Sequence, residues 1–83
     1  MHLEPHLLSC LDRLHPHLAR EEVLTLEVNA WLSRPVTLTE VRRLLHRFEQ
    51  QGWVVGVRAQ AGHTLWKITS AGRAVLAEWE LGL

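Results

Sequence analysis

Residues 37–52 read TLTEVRRLLHRFEQQG, and their spacing predicts a helix with two unlike faces. Thr37 and Glu40 match a capping box, in which each side chain bonds a backbone N–H of the other residue. Gly52 can adopt the left-handed backbone that commonly ends a helix. Apolar side chains recur at helical spacing on one face, namely Val41, Leu44, Leu45 and Phe48. The opposite face is polar and basic and carries Thr39, Arg42, Arg43, His46, Arg47 and Gln50.

Two further helices are predicted before this segment, and a hairpin and a last helix after it. Leucines at helical spacing predict a helix over residues 4–17. A second apolar face with an acidic start predicts a helix over residues 21–32, although residues 23–28 are also compatible with a strand. Alternation predicts strands over 53–58 and 64–69, joined by a turn in which Gly62 permits a tight reversal. Either Thr69 or Ser70 can cap the last helix.

Length and composition indicate one globular domain over residues 1–83. Hydrophobic residues make up 47% of the 83 residues and charged residues 22%, which is unlike a disordered chain. A single cysteine, Cys10, excludes an internal disulfide, and a reducing cytoplasm is therefore expected. No apolar run approaches the roughly 18–20 residues of a membrane helix, and the first residues do not resemble a signal peptide.

The charged residues are distributed unevenly, although the formal net charge is zero. Seven of the nine Lys and Arg residues lie within residues 34–77, where they accompany two carboxylates. The segments before and after this stretch are acidic. A basic middle segment favours a nucleic-acid partner more than the overall charge does.

Two stretches resemble a known group of proteins. Residues 44–54, LLHRFEQQGWV, resemble the end of the recognition helix and the following L-E-x-x-G-hydrophobic-V pattern of winged-helix regulators of the MarR, PadR and ArsR type. Residues 66–73, WKITSAGR, resemble the junction between wing and last helix in that group. The whole chain is also similar to small winged-helix proteins of Mu-like phages. The resemblance implies a mainly helical α+β fold, a winged helix-turn-helix with three helices, a β-hairpin wing and a C-terminal helix.

The basic helix face is itself suited to duplex DNA. A helix with exposed arginines fits the major groove of B-form DNA, where Arg can bond guanine O6 and N7. We expect base contacts from four residues near the start of that helix, namely Thr39, Arg42, Arg43 and His46. Contacts with the DNA backbone, from the helix and the wing, are expected from Arg34, Arg47, Arg58, Gln60, His63 and Lys67. Pattern and resemblance together predict a DNA-binding transcriptional regulator whose partner is double-stranded DNA.

Two other functions compete with this prediction. A net charge of zero, an acidic first half and an apolar tail would suit a winged helix that binds another protein and no DNA. A metal-responsive repressor is the weaker of the two alternatives. His6 and Cys10 share a helix face and His15 lies close to His17, which would suit a metal site. A closed soft site, however, usually needs more than one thiolate. We therefore expect no metal and no cofactor. No catalytic pattern is visible, so the chain is not expected to be an enzyme.

A homodimer is predicted through the first and last helices. Their apolar residues are expected to remain uncovered after the rest has packed, and the interface is predicted at Leu7, Leu11, Trp79 and Leu83. The four tryptophans are otherwise expected in the core, namely Trp31, Trp53, Trp66 and Trp79. The chain lacks the long dimerisation helices of larger members of the group.

Overall fold

The computed structural model describes residues 3–59 and 62–81, and in them it has four helices and a three-stranded antiparallel sheet. The helices are α1 (Leu3–Leu14), α2 (Glu21–Asn29), α3 (Leu38–Gln50) and α4 (Ser70–Glu80). The strands are β1 (Ala19–Arg20), β2 (Val54–Arg58) and β3 (Thr64–Ile68). The predicted order of elements and the mainly helical α+β class are confirmed.

Both predicted ends of α3 are confirmed. The backbone N–H of Glu40 donates to Thr37 Oγ1, and that of Thr37 donates to Glu40 Oε1, each at 3.1 Å. This is the capping box that the sequence predicts. After the helix, Gly52 has a φ of +80°, where a side chain would be strained. The capped start and the glycine together fix the length of α3.

The strands β2 and β3 form the predicted hairpin. Val54 lies opposite Ile68, and Gly56 opposite Trp66. Gly62 in the turn has a φ of +81°, which confirms its predicted role. The third strand, β1, was not predicted: Ala19 pairs with Trp66 at the outer side of β3. Side chains of paired residues share a face, so the face of Trp66 is the one that packs on the helices.

One hydrophobic cluster joins the helices to the sheet. Trp66 and Ile68 from the sheet are fully buried, as are residues of the first three helices, namely Leu7, Leu8, Leu11, Leu24, Val28, Val41 and Leu45. The prediction that Leu7 and Leu11 remain uncovered for a dimer interface is therefore wrong, because both complete the core of a single chain. Leu83, predicted beside them, lies outside the described residues.

Helix α2 ends three residues earlier than predicted, and its last residue holds the loop that follows. Asn29 Nδ2 donates to the carbonyl of Val36 at 3.1 Å, and the Val36 N–H donates to Asn29 Oδ1 at 2.8 Å. Trp31 lies in this loop and is 62% exposed. The prediction that Trp31 lies in the core is therefore wrong. Its ring contacts the Arg13 guanidinium instead, whose central carbon lies 5.6 Å from the ring centroid. The other three tryptophans pack in or against the core.

Helix α4 approaches the start of the hairpin through a glycine. Thr69, one of the two predicted caps, accepts the N–H of Gly72 at 3.0 Å, and its own hydroxyl donates to the carbonyl of Gly52 at 2.7 Å. A Cβ at Gly72 would overlap the carbonyl oxygen of Trp53. The absence of a side chain at this position therefore lets α4 pack on the backbone that links α3 to β2.

Candidate nucleic-acid interface

The outer face of α3 presents the polar side chains that the sequence predicts there. All six are exposed, namely Thr39, Arg42, Arg43, His46, Arg47 and Gln50, whereas the apolar residues between them are buried. The buried face packs against α2 and β2. A rigid helix therefore carries a continuous polar surface with four cationic or potentially cationic residues.

A charged cleft of about 390 Å³ lies between this helix, the start of α2 and the β2–β3 hairpin, which is the predicted wing. It is lined by three arginines, two histidines, two carboxylates and two small residues, namely Arg20, Arg42, Arg58, His46, His63, Glu21, Glu22, Gly62 and Thr64. The helix and the wing thus place cations on two sides of one groove. Arg20 was not predicted as a site residue, because it reaches the cleft only through the pairing of β1 with β3.

The carboxylate of Glu21 is the most enclosed charged group at this site. It is 9% exposed and accepts two hydrogen bonds from distant parts of the chain. Arg42 Nε donates to Glu21 Oε1 at 2.9 Å, and Trp66 Nε1 donates to Glu21 Oε2 at 3.1 Å. A buried carboxylate requires such partners. The sequence suggested only that Glu21 favours a helix start, and no spacing pattern could indicate contacts 21 and 45 residues away.

Arg42 is therefore bound at one end and open at the other. Its side chain is 51% exposed although its Nε is paired. His46 lies one turn further along α3 and packs against Trp66 in a T-shaped contact. The two ring centroids are 5.4 Å apart and the ring planes meet at 86°. Two of the four predicted base-contacting residues are thus held in place, Arg42 by Glu21 and His46 by Trp66 of β3.

The other predicted contact residues are distributed around this centre. Arg34 is exposed in the loop before α3, and Arg58 and His63 are exposed on the wing. Arg47 lies towards α1 and α4, where it lines a separate pocket with Trp79. Lys67 pairs with Val55, and it therefore lies on the face of the sheet opposite Trp66 and the cleft. Gln60 lies outside the described residues.

The thiol that suggested a metal site is buried. Cys10 is 1% exposed, and Arg13 Nη2 donates to its Sγ at 3.2 Å. Burial raises the pKa of the Cys10 thiol above its ordinary value, and the nearby Arg13 only partly offsets this effect. Within residues 3–59 and 62–81, no three His, Cys, Asp or Glu side chains are grouped as metal ligands would be. Nor does that part of the chain contain a helix long and apolar enough to cross a membrane.

Comparison with solved structures identifies the fold. A candidate transcriptional regulator, TA0346 from Thermoplasma acidophilum, superposes with a TM-score of 0.75 over 92% of this chain and 75% of its own, at 19% identity. Two variants of Lactococcus lactis ZitR give TM-scores of 0.71 and 0.64 at 16% and 15% identity. The fold is a winged helix-turn-helix. In this fold α2 and α3 are the two helices of the helix-turn-helix and the β2–β3 hairpin is the wing.

Sequence comparison adds no closer relationship. No family profile and no curated protein matches the chain. The alignment covers 92–95% of this chain but only 49% of each ZitR chain, so the chain spans about half of that protein. At these identities the likeness shows the fold alone. The resemblance to the MarR, PadR and ArsR group and to phage proteins stays a prediction.

Proposed function

We propose that the protein is a DNA-binding transcriptional regulator, and not an enzyme, that inserts α3 into the major groove and lays its wing on the DNA backbone. The observation that carries this proposal is the exposed polar face of α3 beside a cleft whose other wall is the wing with Arg58 and His63. A helix of this kind fits the width of the major groove. The similar fold of TA0346, a candidate transcriptional regulator, supports the same function.

The positions of the side chains divide the interface into two parts. Thr39, Arg42, Arg43 and His46 lie on the outer face of α3 and are proposed to contact bases. Phosphate contacts are proposed for cations at the periphery, namely Arg20, Arg34, Arg47, Arg58 and His63. We leave Lys67 out of the interface because it lies on the opposite face of the sheet. Gln60 remains a proposed wing contact from the sequence alone.

Binding to duplex DNA is tested by fluorescence anisotropy with a labelled random-sequence duplex at two salt concentrations. Each phosphate contact releases counterions, so log K should fall with log salt at a slope of about −0.9 per contact. For five or so proposed contacts, a slope of roughly −3 to −5 is expected. Absence of binding at low salt, or binding that salt does not weaken, would refute the proposal.

A homodimer remains part of the proposal, with a smaller interface than the sequence suggests. Trp79 lines an open pocket of about 420 Å³ together with Phe48 and Trp53. Two residues later, Leu81 is 75% exposed. The pocket has an apolar floor bordered by Glu4, Arg47 and Gln51, and with the apolar Leu81 close by it allows two copies to contact each other reciprocally, as a two-fold interface requires. Sedimentation at micromolar concentration should give a dimer, and Leu81→Glu should give a monomer; a monomeric unmodified protein would exclude this dimer.

One observation favours the alternative function, a protein-binding module without DNA. Helix α2 leaves Val23 and Leu26 exposed one turn apart, and Leu26 is 74% exposed. Exposed apolar stripes on a helix commonly mark contacts between proteins. The two functions predict different results for Leu26→Glu. A DNA-binding protein should retain its affinity for the duplex, whereas a protein-binding module should lose its protein contact. If no duplex binds and the α2 surface is needed for a protein contact, the alternative is correct.

A further inference from the structure

We propose that Glu21 is a positioning residue that holds Arg42 ready to contact a guanine base in the major groove. The inference rests on the proposed function, since it concerns how the same helix reads DNA. Its basis is the geometry at one buried carboxylate, whose two oxygens are bound by two different donors, Arg42 Nε and Trp66 Nε1. Neither Glu21 nor this pairing is predicted by the sequence.

The pairing leaves the functional end of Arg42 available. The guanidinium group has five N–H donors in a fixed plane, and Glu21 takes the one on Nε at 2.9 Å. The two terminal amino groups can then form the end-on pair of hydrogen bonds with guanine O6 and N7. The side chain of Arg42 is 51% exposed, which agrees with an inner end that is bound and an outer end that is open.

Glu21 is in turn held by the wing strand. Its second oxygen accepts from Trp66 Nε1 at 3.1 Å, and the Trp66 ring is 1% exposed. The ring packs tightly on β2, because a Cβ at Gly56 would lie 3.0 Å from it. A buried tryptophan thus fixes the carboxylate, and the carboxylate fixes the arginine. A long side chain that is ordered before binding loses less conformational freedom when DNA arrives.

Arg43 provides the contrast within the same helix. It is exposed beside Arg42, but among residues 3–59 and 62–81 no carboxylate pairs with it. Its side chain can turn towards bases or phosphates. We therefore assign the base discrimination mainly to Arg42, and expect Arg43 to contribute mostly affinity.

The test uses a duplex that the unmodified protein selects from a random-sequence pool. Each guanine of that duplex is replaced in turn by 7-deazaguanine, which lacks the N7 acceptor, and the affinity is measured for each replacement. At one guanine the unmodified protein should lose about tenfold or more in affinity. Arg42→Met, which keeps a long side chain but has no N–H donor, should bind both duplexes equally at that guanine.

The role of Glu21 is tested by Glu21→Gln, with Glu22→Gln as the matched control. Both variants lose one negative charge at the same cleft, so neither should bind non-specific duplex more weakly than the unmodified protein. Only Glu21→Gln should lose the discrimination against 7-deazaguanine, because one of the two acceptor oxygens becomes an NH2 group, which cannot accept from the N–H that faces it. A general loss of structure would lower the affinity for the guanine duplex and for the 7-deazaguanine duplex alike. A loss of positioning would instead reduce the difference between the two affinities. If Glu21→Gln does not fold by circular dichroism, Trp66→Phe removes the anchor instead and should reduce the discrimination.

The outcomes separate the two proposals. If no duplex is selected, the proposed function fails and this inference with it. If a duplex is selected but Glu21→Gln discriminates as well as the unmodified protein, only the positioning role of Glu21 is overturned. If no guanine replacement weakens binding, or if Arg42→Met still discriminates, the assignment of Arg42 to guanine is wrong while DNA binding stands.

Discussion

Trp66 donates a hydrogen bond from its indole Nε1 to the carboxylate of Glu21, 45 residues earlier in the chain, at 3.1 Å. This bond connects the inner strand of the wing to the start of α2. The other oxygen of the same carboxylate binds Arg42 on α3. The wing and the two helices of the helix-turn-helix therefore meet at one buried polar group.

Removal of the indole N–H should destabilise the fold. In Trp66→Phe, the buried carboxylate loses one of its two donors and the core loses part of a large ring. Because the acceptor is charged, the free energy of unfolding should fall by about 2 kcal/mol or more. Urea unfolding measures this, with Trp31→Phe as the control. Trp31 is exposed, so that variant should stay within about 0.5 kcal/mol of the unmodified protein. Equal stabilities of the two variants would show that the buried bond contributes nothing.

Gly72→Ala should destabilise the protein although alanine favours helices. The new Cβ would overlap the carbonyl oxygen of Trp53 and force α4 away from the hairpin. Intrinsic propensity alone would add about 1 kcal/mol of stability, whereas overpacking should remove roughly 1–3 kcal/mol or more. Ala71→Gln adds a larger side chain at the neighbouring exposed position and serves as the control, which should change the melting temperature little. A Gly72→Ala variant that is more stable than the unmodified protein would refute the close contact.

The wing should contribute a phosphate contact through Arg58 and not through Lys67. Arg58 lines the cleft beside α3, whereas Lys67 lies on the other face of the sheet. Arg58→Ala should therefore reduce the salt slope of duplex binding by about one unit, with little change in base preference. Lys67→Ala should leave the slope unchanged. The reverse result would place the other face of the wing on the DNA.

The Cys10 thiol should be unreactive in the native protein and should make stability depend on alkaline pH. Burial raises the pKa of Cys10 in the folded state, so the unfolded chain ionises first as the pH rises. The stability linked to this group is present below the unfolded pKa of about 8.5 and is lost above it. Unfolding in urea at about pH 7.5 and pH 9.5 should show a decline that is smaller in Cys10→Ala. Rapid reaction of the native thiol with a disulfide reagent at about pH 8 would contradict its burial.

Much of the fold follows from local patterns in the sequence. The capping box at Thr37, the glycine at 52 and the apolar spacing of α3 each act over a few residues, and the structure confirms them. The hairpin and the Thr69 cap are equally local. In contrast, β1 has only two residues, which is too short for alternation to be visible. Its existence depends on an open edge of β3, which is a property of the tertiary fold.

The candidate site was less predictable than the helix that carries it. Helical spacing correctly predicts that Arg42 is exposed, but not that Glu21 binds it, because that contact depends on how α2 and α3 pack. The exposure of Trp31 was missed for the same reason: a large apolar residue is usually buried, and only the early end of α2 leaves it in a loop. The sequence predicts Leu7 and Leu11 in a dimer interface, because it does not reveal how much of α1 the rest of the same chain covers.

The most direct test of the central claim compares two charge reversals for duplex affinity. Arg43→Glu changes the exposed face of α3, and Lys67→Glu makes the same change in net charge on the far side of the sheet. Anisotropy with a labelled random-sequence duplex should show at least about tenfold weaker binding for Arg43→Glu than for Lys67→Glu, because only the first charge meets the DNA. Both should melt close to the unmodified protein. Equal affinities of the two variants would contradict the placement of α3 in the major groove.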